Sequence, residues 1–132
     1  MKSLINKRIF IVDDNPYWVA LQTQLLNDLG FTKIITFTNG ADCINNLHLN
    51  PILVFLDYHM EGENGLEVLQ KIKNYYSGIN VVFCTANEDL SVAVNAIKYG
   101  SQDYLLKENA SKKELIHILE RIEKRKALHT IN

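Results

Sequence analysis

Four short stretches of the chain are apolar almost without interruption and rich in β-branched residues: RIFIV at 8–12, KIITF at 33–37, ILVFL at 52–56 and NVVFC at 80–84. Apolarity that is continuous rather than alternating marks strands covered on both faces, and so predicts a parallel sheet between two layers of helices. A weaker fifth strand is predicted at DYLL, 103–106. Helical spacing fills the intervals. Asn15 is a candidate N-cap with Pro16 at the first helical position, Trp18, Leu21, Leu25 and Leu29 form one apolar stripe assigned to the core, and Gly30 stops the helix. A second helix is predicted over 41–48 before Pro51, a third over 65–76 with the Tyr75–Tyr76 pair at its end, and a fourth over 90–99, closed by Gly100. The last begins after Ser111, with Glu114 three residues on as a capping box, and carries Leu115, Ile118, Leu119 and Ile122 toward Lys126.

Five alternating β-α pairs imply a single doubly wound (βα)5 flavodoxin-like domain, a parallel five-stranded sheet of order 2-1-3-4-5 with right-handed crossovers. In such a sheet function sits beyond the carboxyl ends of the strands. The 132 residues suit one domain over 1–126 with a C-terminal tail at 127–132, and a core of that size needs no disulfide or structural metal. Cys43 and Cys84 lie far apart in sequence without CxxC spacing, which reads as two buried thiols in a reducing cytoplasm. No apolar run is long enough to span a bilayer, and no cleavable signal opens the chain, so no membrane role is expected.

The formal net charge of -1 removes the basic excess of a dedicated nucleic-acid binder, so no direct nucleic-acid contact is expected. That near-neutrality is a cancellation: residues 1–106 carry a net -4 and residues 107–132 a net +3, the latter including the basic run RIEKRK at 121–126. Acids gather near the strand ends, at Asp13, Asp14, Asp57, Glu61, Glu63, Glu88 and Asp89. That edge is therefore a cation site before it can be a phosphate site.

Strand one ends in Asp13 and Asp14, strand three in Asp57, strand four in Thr85 and strand five in Lys107. Carboxylates brought together repel, and a hard cation such as Mg2+, with Mn2+ as a substitute, keeps them ionised. A carboxylate can also act as nucleophile toward phosphorus, giving an acyl phosphate, if the phosphoryl oxygens are neutralised by the cation, an ammonium and a hydroxyl. The chain supplies all of these groups. A phosphatase built on an aspartate nucleophile would want a second Asp two residues on, where His59 stands, and no glycine-rich phosphate loop follows strand one.

The segments IFIVDDN, FLDYHMEGENG, VVFCTAN and YLLKEN together resemble the response-regulator receiver domains of two-component signalling. The resemblance implies Asp57 as phosphoacceptor and Asp13, Asp14, Asp57 and the His59 backbone carbonyl as Mg2+ ligands. It implies that Thr85 and Lys107 hold the phosphoryl group, that Thr85 and Tyr104 form the switch, and that His59 and Asn87 tune the lifetime of the acyl phosphate. It further implies a sensor histidine kinase or histidine phosphotransfer protein as donor and a downstream effector. A homodimer through helix four, strand five and helix five is a further expectation. Such a domain is not a turnover enzyme, though it can catalyse its own phosphorylation from small donors and its own dephosphorylation. The alternative is a receiver-like interaction module that acts without phosphorylation. Two positions depart from the family pattern: Glu61 and Glu108 stand where proline is usual. The second removes the low-cost route to a cis peptide after Lys107 and raises the question of how firmly that lysine is placed.

Overall fold

The computed structural model describes residues 3–60, 62–86 and 90–131. Its five strands are β1 (Ile9–Val12), β2 (Ile34–Phe37), β3 (Leu53–Asp57), β4 (Asn80–Thr85) and β5 (Asp103–Leu106). They form one parallel sheet in the order β2-β1-β3-β4-β5, as the hydrophobic pattern predicts. The helices are α1 (Pro16–Asp28), α2 (Gly40–Asn45), α3 (Gly65–Tyr75), α4 (Leu90–Lys98) and α5 (Lys112–Ile131). The second helix is shorter than its apolar spacing suggests, because the chain tightens into a 3-10 turn at Leu47–Leu49 and then turns left-handed at Asn50 (φ 59°) before Pro51. The last helix is longer, running on to Ile131.

Local chemistry sets the helix starts. Asn15 accepts hydrogen bonds from the N–H groups of Tyr17 (3.0 Å) and Trp18 (3.3 Å), with Pro16 following it. Asn39 and Asn64 cap α2 and α3 in the same way, and Ser111 Oγ accepts from Glu114 N at 3.1 Å ahead of α5. Gly30 and Gly100 follow α1 and α4 at φ 102° and 104°, a left-handed turn that a side chain would strain.

Although β1, β3 and β4 read as unbroken apolar runs, each strand divides its residues between two cores. Ile9, Ile11, Leu53, Phe55, Val82, Cys84 and Leu105 meet α1 and α5 through Trp18, Leu26, Leu115, Ile118, Leu119 and Ile122. Phe10, Val12, Val54, Leu56, Val81 and Phe83 meet the other layer through Cys43, Val68, Leu69, Ile72, Val92 and Ala96. Each fully buried Val, Leu, Ile or Phe among them contributes roughly 1.5–3 kcal/mol. Both thiols are buried and free. Burial pushes Cys43 up to about 12 and Cys84 higher still, so neither is a nucleophile at neutral pH.

The buried stripe of α1 departs from the apolar spacing. The side chains it buries are Trp18, Gln22 and Leu26, while Leu21 is 48% exposed and Leu25 and Leu29 are half-buried. The reason is rotational: the spacing 18, 22, 26 follows the helix repeat from the anchor Trp18, and Leu21 falls off that line toward solvent.

Candidate functional site

Strand alternation places the acids. Asp13 continues the side-chain parity of Ile9 and Ile11, Asp57 that of Leu53 and Phe55, and Lys107 that of Leu105, so all three belong to the α1–α5 face at the carboxyl edge. Thr85 and Tyr104 have the opposite parity, on the face of Phe83. Phe83 pairs with Tyr104 and Thr85 with Leu106, which makes Thr85 and Tyr104 diagonal neighbours across β4 and β5.

Asp13, Asp14 and Asp57 each offer a carboxylate oxygen within 4.8 Å of the others. Asp13 (1% exposed) and Asp57 (4%) are buried, and Asp14 is exposed. Lys107 lies across them, its Nζ 2.6 Å from Asp13 Oδ2 and 3.2 Å from Asp57 Oδ1, and 5.3 Å from the centre of the Trp18 ring. The Lys107–Glu108 peptide is trans and opens a 3-10 turn over Lys107–Asn109. The lysine thus reaches both carboxylates without the proline that usually follows it, and the departure at Glu108 does not displace it.

Burial, reinforced by the charge of Asp13 and opposed by Lys107, pushes the Asp57 carboxyl up to about 6. Burial also works against the Lys107 ammonium, but its hydrogen bond to Asp13 and the charges of Asp57 and Asp13 prevail and hold it above the usual lysine range. One ammonium among three carboxylates leaves the site negative. The donor set is all hard oxygen, which suits a divalent cation completing its shell with waters.

The loops holding these groups are tied to the sheet. Asn15 N–H donates to Asp13 Oδ1 at 2.8 Å, so the residue that caps α1 also fixes the first acid. Tyr58 N–H donates to Cys84 O at 3.1 Å and Gly65 N–H to Tyr58 O at 2.9 Å. A Cβ at Gly65 would collide with the carbonyl of Asp57 and lie 2.8 Å from Tyr58 Cα, so α3 approaches Asp57 closely only because this residue has no side chain. His59 is exposed, its ring edge-on to Tyr58 at 4.6 Å. Asn87, like Glu61, Glu88 and Asp89, lies outside the described residues.

Sequence reasoning thus locates Asp13, Asp14, Asp57, Thr85 and Lys107 at one edge. It does not anticipate the Asn15–Asp13 bond, the close approach at Gly65 or the buried amide of Gln22. Only the last left a readable signal, a polar residue one turn after Trp18.

A buried acid pair, a third acid at the rim and a bridging lysine, all at the carboxyl edge of a 2-1-3-4-5 sheet, define a phosphoacceptor-type signalling domain. Residues 9–120 match the family model described as response regulator receiver domain, and the chain belongs to that family. It is 35% identical over 98 residues to the luminescence regulatory protein LuxO of Vibrio campbellii, covering 74% of this chain and 21% of that protein. To the chemotaxis protein CheY of Thermotoga maritima it is 25% identical over 104 residues, covering 78% of this chain and 87% of CheY. Among solved structures, the receiver domain of a LuxO repressor protein from Vibrio parahaemolyticus superposes with a TM-score of 0.83 at 24% identity, covering 96% of this chain and 97% of that one. A beryllofluoride-activated DrrB receiver domain superposes at 0.78, with 24% identity and 89% and 97% coverage. The chain spans about a fifth of the length of the LuxO regulators it matches. Among the described residues no helix is long and apolar enough to cross a membrane.

Proposed function

We propose that the chain is a Mg2+-dependent phosphorylation switch in which Asp57 is the acceptor. The observation that carries this reading is the Lys107 bridge between the two buried carboxylates, with Asp14 at the rim. A carboxylate oxygen of Asp57 attacks the phosphorus of a phosphohistidine on a sensor kinase or phosphotransfer protein. The P–N bond breaks, the imidazole leaves with the bonding pair, and an acyl phosphate remains. Water later cleaves it to inorganic phosphate and the original carboxylate. Asp13, Asp14, Asp57 and the His59 carbonyl are the ligands assigned to Mg2+, with Mn2+ as a substitute; the cation, when bound, offsets charge on the acids and the incoming phosphoryl oxygens. Lys107 turns from the carboxylates to one phosphoryl oxygen and Thr85 Oγ donates to another. These contacts exist in the phosphorylated state alone, and that difference biases a two-state element.

Thr85 and Tyr104 are assigned to that element, which their diagonal placement supports. His59, exposed beside the acceptor, and Asn87 are assigned to the lifetime of the acyl phosphate. The output surface is that of α4, β5 and α5, where Val94 (60%) and Ile97 (53%) are exposed, offered to an effector or a second copy. The domain is assigned to 1–126, with 127–132 as its tail, in a cytoplasmic protein. Mg2+ with beryllofluoride should bind saturably and Asp57→Asn should abolish that binding. A wild-type protein that binds none would leave the non-phosphorylated interaction module as the reading.

A further inference from the structure

At rest the Lys107 ammonium bridges Asp13 and Asp57, the two buried carboxylates that the proposed function also assigns to the divalent cation. Ammonium and cation repel each other, so cation binding loosens both of these contacts. The backbone of Lys107 does little to decide where the ammonium then goes: the peptide after it is trans, and the 3-10 turn it opens carries no side-chain cap. An ammonium released into water would have to be recovered and desolvated before it could meet a phosphoryl oxygen.

Trp18 is a neighbour that the cation does not contest. Lys107 Nζ lies over its ring, 5.3 Å from the centre. An aromatic face attracts an ammonium through its quadrupole and offers no oxygen to a hard divalent cation. The lysine side chain is 15% exposed and Trp18 is 7% exposed, so little water stands between them to screen the attraction. The ring is also held in place, packed in the core of the α1–α5 face with Ile11, Cys84 and Leu105. Trp18 N–H donates to Asn15 Oδ1 at 3.3 Å, while Asn15 N–H donates to Asp13 Oδ1 at 2.8 Å. One residue therefore ties the first acid to the start of α1, and keeps in register the ring and the carboxylate that share the ammonium.

We propose that Trp18 is a positioning residue for Lys107: its ring face retains the ammonium beside Asp57 when the cation takes the carboxylates, and presents it to the incoming phosphoryl oxygen. This rests on the phosphoacceptor reading of Asp57, and the test separates the two.

Trp18→Phe and Trp18→Met both replace the indole by a smaller apolar side chain, but only the first keeps a π face. In EDTA both full-length variants are expected to melt below wild type. With Mg2+ and beryllofluoride, at a temperature where all are folded, Trp18→Met is expected to bind the mimic roughly tenfold more weakly, the size of a desolvated cation–π contact, and Trp18→Phe to recover most of that loss. Added to Lys107→Met, Trp18→Met is expected to cost nothing further. In wild type the ε-methylene protons of Lys107, assigned by their loss in Lys107→Met, are expected upfield of those of the other lysines through the ring current, both in EDTA and with the mimic bound. Equal affinities for the Phe and Met variants, a Met loss that persists without Lys107, or ε-methylene protons that leave the ring's influence on mimic binding each overturn the inference. Wild type that binds no beryllofluoride overturns the phosphoacceptor reading itself, and this role of Trp18 with it.

Discussion

Asp57 is a carboxylate held in the wrong protonation environment by design of its neighbours. Burial and the charge of Asp13 raise it to about 6, against about 4 in an unfolded chain. Between those two values the folded protein keeps a proton that the unfolded chain has released, so stability from this group falls as pH rises through the window and stays low above about 6. Asp57→Asn removes the effect. In EDTA at neutral pH that variant should be more stable than wild type by on the order of 1–3 kcal/mol, with the gap narrowing from pH 6 toward pH 4. Thermal melts across that range measure it, and a gap independent of pH contradicts the assignment. Saturating Mg2+ should stabilise wild type and shrink the gap, because a ligand that binds the folded state alone raises its stability by mass action. Lys107 carries the opposite role. Lys107→Ala leaves Asp13 and Asp57 facing each other without a counter-charge, which should raise the Asp57 carboxyl further and weaken beryllofluoride binding at least tenfold. Carboxyl resonances followed through a pH titration check the first effect and a binding isotherm the second.

At the scale of elements, the carboxyl end of β3 is fixed from two sides. Tyr58 is tied to β4 through Cys84 O, and α3 presses Gly65 against the Asp57–Tyr58 backbone. Gly65→Ala would push the start of α3 off this loop. The expected cost is about 1–3 kcal/mol, the usual cost of overpacking, together with loss of beryllofluoride affinity. A variant that melts lower yet binds normally would show that α3 does not place Asp57. At the far end of α3, Lys73 Nζ donates to Ile79 O (2.6 Å), Gln102 Oε1 (3.1 Å) and Ser77 O (3.2 Å), stitching the helix to β4 and the approach to β5. Lys73→Met should lower stability by roughly 1.5–3 kcal/mol while leaving beryllofluoride affinity unchanged, since these contacts lie at the edge of the sheet opposite the carboxylates. Equilibrium unfolding and the same isotherm separate the two quantities. The strands and the caps at Asn15 and Ser111 were legible in the sequence because they depend on neighbours in the chain. Asn39 and Asn64 were not singled out because one Asn in a loop is a common residue. Within the α1 stripe Leu21 departs for a different reason: helical spacing fixes a period but not its phase, and the phase is set by where Trp18 docks, which pulls Gln22 inward and turns Leu21 out while Leu25 and Leu29 still pack against the core.

At the scale of the molecule, near-neutrality conceals an acidic carboxyl edge and a basic α5. The edge brings Asp13, Asp14 and Asp57 together through topology alone, since they come from strands separated by a full β-α unit. That convergence was readable because a 2-1-3-4-5 order puts β1 and β3 side by side. The lysine's hold on two carboxylates was not, because it depends on the path of a turn whose usual proline is absent. On the proposed reading, Asp57, once loaded, alters β4 and β5 through Thr85 and Lys107. The most direct measurement is the backbone amide spectrum of the wild-type chain titrated with beryllofluoride in the presence of Mg2+, alongside Asp57→Asn. Shifts at Thr85, Tyr104 and Lys107 that saturate in wild type and are missing in Asp57→Asn are the expected result; an unaltered wild-type spectrum, or the same shifts in Asp57→Asn, would contradict it.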